Sequence, residues 1–131
     1  LINNDIAVPL EMVSKFLGIM EKKLPELDQN ADVFIVSHLG DGNVHYGVWP
    51  SQDDEKHKDK IVETIEEIVL SLGGSFSAEH GIGLSKLPSM KRRKDSVALK
   101  VMRQIKDALD PKGIMNPGKV LPREYDTQSF K

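Results

Sequence analysis

The chain is 131 residues long and 39% apolar, with eighteen Lys and Arg against twenty Asp and Glu, a formal charge of -2 and no cysteine. That length suits one domain with a modest core. The near-even charge argues against bulk attraction to nucleic acid or an anionic membrane. The missing cysteine excludes disulfides, thiolate metal sites and cysteine nucleophiles, and no apolar run reaches the length of a membrane span.

The first residues, "LINNDIAVPL", already have strand character, so the chain is expected to begin inside a larger protein. "DIAVPLE" reads as a short strand from Ile6 to Leu10, ending near Pro9. Val13, Phe16, Leu17, Met20, Leu24 and Leu27 then recur every three or four residues, the period of an amphipathic helix, with Pro25 ending or bending it. "ADVFIVSHL" is rich in β-branched and aromatic residues and reads as a central strand. "GDGN" turns the chain and "VHYGVWP" brings it back, a hairpin on which Tyr46 and Trp49 are expected to pack. A second long helix follows, with Ile61, Ile65, Ile68 and Leu72 on one face and Gly73–Gly74 as its stop. His57 falls on its solvated side. "SFSAEHG" reads as a short fourth strand, and "LPSMKRRKDSVALKVMRQIKDALDPKG" as a third helix, strongest from Asp95 to Leu109. Its expected buried side is Ala98, Val101, Met102, Ile105 and Leu109.

The order β-α-β-β-α-β predicts an α+β, ferredoxin-like antiparallel sheet with helices on one face, plus a C-terminal helix and an extended tail. Residues 1–85 form the expected core and 86–122 the helix and tail. A flexible tail is expected over 123–131. The basic run "KRRK", Lys91 to Lys94, has no aromatic platform beside it and reads as a solvated face or a partner contact.

Two polar clusters carry the chemistry. His38 and His45 stand at opposite ends of the "LGDGNV" turn and face each other if the hairpin forms. Imidazole suits Zn, Fe, Co or Mn ions; equally, both rings can be ordinary hydrogen-bonding residues. "SAEHGIG" adds Glu79 and His80, where Glu79 would complete a two-His, one-Glu ligand set with an open position. Neighbouring residues on a regular strand point to opposite faces, so the pattern divides the labour: Glu79 to a metal, His80 free as a base.

"SHLGDGNVH", "GGSFSAEHGIGLSK" and "ALDPKGIMNPGKVLP", taken together and in this order, resemble the carboxy-terminal region of FAD-linked oxidases, the D-lactate, D-2-hydroxyglutarate and glycolate dehydrogenase group within the vanillyl-alcohol-oxidase-like flavoproteins. The resemblance implies metal ligands at His38, His45 and Glu79, a general base at His80, and Asn116 beside the flavin or substrate. It implies FAD, bound mainly by a preceding domain of the same chain. It also implies a divalent metal, zinc first with manganese or iron as alternatives. The implied substrate is a small D-2-hydroxy acid oxidised to the 2-oxo acid. No nucleic-acid partner and no transmembrane segment are expected, a homodimer is compatible, and an intracellular location, cytoplasmic or mitochondrial, follows. Taken alone the fragment is expected to be inactive. The competing reading is a ferredoxin-like module that binds a metal or small acid without chemistry. Two departures from the family pattern stand out: Asn3 where relatives carry Arg or Lys before the first strand, and Gly47 where relatives selective for 2-hydroxyglutarate carry Asn. Both weaken an assignment to a dicarboxylate substrate and leave the identity of the hydroxy acid open.

Overall fold

The computed structural model describes residues 1–38 and 40–122. The chain divides into two compact units, with the boundary between Gly81 and Ile82. The segment 123–131, expected to be a flexible tail, lies outside the described residues.

The first unit contains β1 (Ile2–Ala7), α1 (Val13–Leu27), β2 (Asp32–His38), β3 (Asn43–Trp49) and α2 (Glu55–Ser71). The strands form one antiparallel sheet in the order β1-β3-β2. This is the expected α+β arrangement, with both helices on one face. Val44, Tyr46 and Val48 of β3 and Ile2 and Ile6 of β1 share a core with Val13, Phe16, Met20 and Leu24 of α1 and Ile61, Ile65 and Val69 of α2. The period-2 and period-3.6 patterns meet there, and each fully buried aliphatic or aromatic side chain contributes about 1.5–3 kcal/mol. Phe16 meets Tyr46 edge-on, ring centroids 5.6 Å apart. Pro25 lies inside α1, in its last turn, which is closed by the Asp28 N–H donating to the Leu24 carbonyl at 2.8 Å.

Four local readings need correction: β2, expected as a central strand, lies at the edge of the sheet, and β3 is central. The first strand runs Ile2–Ala7, not Ile6–Leu10: residues 10–12 form a 3-10 turn after Pro9, whose missing N–H suits a turn entry. The fourth strand is not formed. Ser75 makes a single antiparallel bridge to Ala7, and the chain then bends away. Gly74 permits the approach, because a Cβ there would stand 2.3 Å from the Ala7 carbonyl oxygen. His57 is not a free surface residue: its Nε2 lies 2.9 Å from Asp28 Oδ2. Asp28 also accepts the N–H groups of Ser51 at 2.7 Å and Asn30 at 3.2 Å. One buried carboxylate thus ties the end of α1 to the entrance of α2.

The second unit contains α3 (Leu87–Arg93) and α4 (Ser96–Leu109). The expected single helix breaks at Lys94–Asp95 because Asp95 caps a new one, accepting the Ala98 N–H at 2.9 Å. The buried side of α4 holds Leu99 and Arg103, while Val101, Ile105 and Leu109 are exposed. The apolar period identified the helix but not which side is covered within this chain. Beyond it, Asp110 accepts the N–H groups of Ile114 and Met115 at 3.0 and 2.9 Å and pairs with Lys106 at 2.6 Å. The Lys106 ammonium holds its carboxyl down to about 2 despite its burial.

Candidate metal centre

The site lies on the sheet face away from the helices. Register places Asp5 of β1 and Val36 of β2 on either side of His45 of β3, and Ala7 and His38 on either side of Asn43. Opposed residues in a sheet share a face, so Asp5, His45, Val36 and His38 all stand on this side.

The segment after the Ser75 bridge delivers the rest. The Ala78 N–H donates to the Asp5 carbonyl at 3.1 Å. The Asp5 carboxylate, almost fully buried, then accepts the next two backbone N–H groups: Glu79 at 3.2 and 3.3 Å to its two oxygens, and His80 at 3.0 Å. An acceptor holding two successive amides bends the backbone, so the regular alternation assumed for Glu79 and His80 does not hold. Both side chains come to the same place. Glu79 Oε1 is 3.0 Å from His45 Nε2 and 3.7 Å from His80 Nε2. The His45 and His80 rings stack with centroids 5.2 Å apart.

Asp5, His45, Glu79 and His80 each offer one ligand atom within 4.8 Å of all the others. Ligands about 2.0–2.2 Å from one ion stand roughly 3–4 Å apart, so the 3.0 Å between His45 and Glu79 suits a shared divalent cation, with His80 beside the pair. Nitrogen and carboxylate donors suit zinc, manganese or iron. His38 is outside this group of four, but its ring meets that of His45 edge-on at 5.8 Å. Asn43 Oδ1, buried on the same face, accepts no hydrogen bond from the described residues. His45 is mostly covered, while Glu79 and His80 are about half exposed.

The sequence reading does not include Asp5 because the strand expected from Ile6 leaves it just outside, whereas β1 begins at Ile2. The available signal was an acid at the strand's alternate, non-core position between Asn3 and Ala7. Asn116 lies in the second unit. It adopts a left-handed conformation, φ 47°, which Asn tolerates, and Val120 shares that region at φ 68°, where a β-branched residue is strained. Both line a cleft of about 600 Å³ with Met102, Ile105, Met115 and Lys119.

The chain resembles curated proteins along most of its length. It is 36% identical over 119 residues to a probable mitochondrial D-2-hydroxyglutarate dehydrogenase of Oryza sativa, covering 91% of this chain and 21% of that protein. It is 32% identical over 122 residues to a mitochondrial D-lactate dehydrogenase [cytochrome] of Arabidopsis thaliana, 90% of this chain and 21% of the relative. It is 38% identical over 116 residues to an uncharacterized FAD-linked oxidoreductase of Mycobacterium tuberculosis, 88% of this chain and 24% of the relative. The chain therefore spans only a fifth to a quarter of the relatives it matches. Residues 1–120 match the family described as FAD linked oxidases, C-terminal domain, and the chain belongs to that family.

Proposed function

We propose that this chain is the substrate-handling part of an FAD-dependent, metal-assisted oxidoreductase that converts a small D-2-hydroxy acid to the 2-oxo acid. The observation that carries the reading is the convergence of His45, Glu79 and His80 on one spot, held by Asp5. His38, His45 and Glu79 are the residues that would hold the ion, with His38 entering from the hairpin mouth. When bound, the ion supplies Lewis-acid polarisation of the substrate hydroxyl, and the flavin of the complete protein supplies the electron acceptor. The chain's own residues then handle the proton. His80 takes the hydroxyl proton at Nε2, a role suited to imidazole because its ordinary pKa lies near neutrality. The stacked His45 ring and the Glu79 carboxylate orient that imidazole, and the two amide bonds to Asp5 fix the backbone that carries it.

Asn116 and the cleft around it, together with the exposed α4 stripe of Val97, Val101 and Ile105, form the surface we assign to the flavin-binding domain of the complete protein. The mitochondrial relatives support an intracellular location. The 131 residues alone neither hold FAD tightly nor turn over substrate.

The test is made on the complete flavoprotein. A D-2-hydroxy acid bleaches its flavin absorbance, and His80→Ala slows that bleaching at least a hundredfold while leaving bound metal in place. His38→Ala, His45→Ala and Glu79→Ala each lose the metal. Unchanged bleaching in the His80 variant removes the base assignment, and full metal content in all three ligand variants removes the metal site.

A further inference from the structure

Asn43 opens β3 on the face that carries the site, two residues before His45. Its main chain is already engaged. The N–H donates to Asp41 Oδ1 at 3.1 Å, and the carbonyl accepts the Ser37 hydroxyl at 2.9 Å. Neither bond uses the Asn43 side chain, so the turn does not depend on its amide. That side chain is nevertheless sealed in. The Val8 N–H donates to the Gly42 carbonyl at 3.1 Å, and a Cβ on Gly42 would stand 2.1 Å from the Val8 carbonyl oxygen, so the chain leaving β1 packs tightly against the start of β3. Asn43 is 5% exposed, and its Oδ1, closed off from solvent, accepts no hydrogen bond from the described residues.

A buried carbonyl without a donor destabilises the fold, so its presence calls for a partner from the groups beside it. Register names those groups. Ala7 flanks Asn43 on β1 and has no side-chain donor; His38 flanks it on β2 and has two ring nitrogens. Directly opposed residues of an antiparallel pair hold their Cβ atoms about 4.5–5.5 Å apart, which lets an imidazole N–H reach an amide oxygen. His45, the other imidazole on this part of β3, already has its Nε2 3.0 Å from Glu79 Oε1. The His38 ring is exposed, so it turns without disturbing the core. A metal-bound imidazole donates its second ring N–H to a carbonyl or carboxylate, which fixes its tautomer and its direction. His38 is the one proposed ligand outside the group of four, and the open acceptor lies next to it.

We infer that Asn43 is a positioning residue of the metal site: its Oδ1 accepts one ring N–H of His38 and so aims the other ring nitrogen at the spot shared by His45 and Glu79. The inference rests on the function proposed above. Each partner supplies what the other lacks. The carbonyl gains its donor, and the exposed ring gains a fixed direction. An amide provides this acceptor without adding a further carboxylate charge to a face that already holds Asp5 and Glu79.

The test compares the full chain with Asn43→Leu and Asn43→Asp by zinc calorimetry, thermal melts without zinc, and ring N–H exchange of His38 by nitrogen-15 NMR with saturating zinc. Leucine matches the shape of asparagine and lacks the acceptor, so Asn43→Leu is expected to weaken zinc by about 10–100-fold. Its melting temperature without zinc stays the same or rises, because a buried carbonyl without a donor has been replaced by an apolar group. Asn43→Asp keeps an acceptor and binds zinc within about threefold of the unsubstituted chain. With zinc, the His38 ring N–H is protected from water exchange in the unsubstituted chain and in Asn43→Asp, and exchanges freely in Asn43→Leu. Undiminished zinc affinity in Asn43→Leu, or a His38 N–H that exchanges freely in the unsubstituted chain, overturns the positioning role and leaves the metal site standing. A lower melting temperature of Asn43→Leu without zinc shows a structural role instead and overturns it as well. If the unsubstituted chain binds no zinc, the functional reading falls and the role of Asn43 with it.

Discussion

Removing the Asp5 carboxylate takes away the acceptor that holds the amides of Glu79 and His80 at 3.0–3.3 Å. Hydrogen bonds to a charged acceptor contribute about 1.5–3 kcal/mol. Asp5→Ala is therefore expected to cost about 2–4 kcal/mol in urea unfolding and to weaken zinc binding by calorimetry, although Asp5 is not among the proposed ligands. Asp5→Asn keeps one acceptor oxygen and should recover part of both. Asp28 makes a second residue-scale case. Burial pushes its carboxyl up, but His57 together with the Ser51 and Asn30 amides more than offsets this and holds it well below its ordinary value of 3.8. A depressed folded-state pKa gives stability that is complete above the unfolded value and lost as pH falls. Asp28→Asn should thus lower stability by about 1.5–3 kcal/mol at neutral pH. The gap from the unsubstituted chain should narrow progressively below about pH 4, as thermal melts across pH would read.

At the scale of elements, α4 separates what periodicity shows from what packing decides. Val101, Ile105 and Leu109 belong to the expected buried side, yet all three are exposed, as is Val97, and the buried residues are Leu99 and Arg103. A substitution on an exposed face changes stability by about 0.5 kcal/mol or less. Ile105→Glu should leave the chain's melting unchanged and abolish its association with the proposed flavin-binding domain in co-purification; a large loss of stability would show instead that the stripe is packed within the chain. The hairpin was readable for a simpler reason. "VFIV" is a run of β-branched and aromatic residues and "NVHYGVW" alternates with period 2, with a glycine-bearing turn between them, and β2 and β3 pair with His38 opposite Asn43. The fourth strand failed for an equally local reason. After one bridge at Ser75, the carboxylate of Asp5 captures the amides that a strand ladder would have used. Asp95 likewise split one expected helix into two, a capping signal present in the sequence as "KDSVA" but outweighed in the reading by the longer apolar period.

For the molecule as a whole, metal and fold should be coupled. A ligand that binds only the native state at a hundred times its dissociation constant adds about 2.7 kcal/mol of stability. Zinc should raise the melting temperature of the chain, EDTA should reverse this, and His45→Ala should abolish the response; a melt indifferent to zinc would remove the coupling. Sequence by itself determined the α+β order, the helix-facing core, and the two motifs that bring histidines and a glutamate into play, because hydrophobic period and turn chemistry are local properties. It also carried the family, since three motifs in one order need no coordinates to be read. Tertiary structure alone decided that Asp5 bends the 78–80 segment, that Glu79 and His80 share one side, and that Phe34 lies on Gly47. The first two depend on an Asp5 side chain more than seventy residues away in the chain, and the third on the register of β2 with β3.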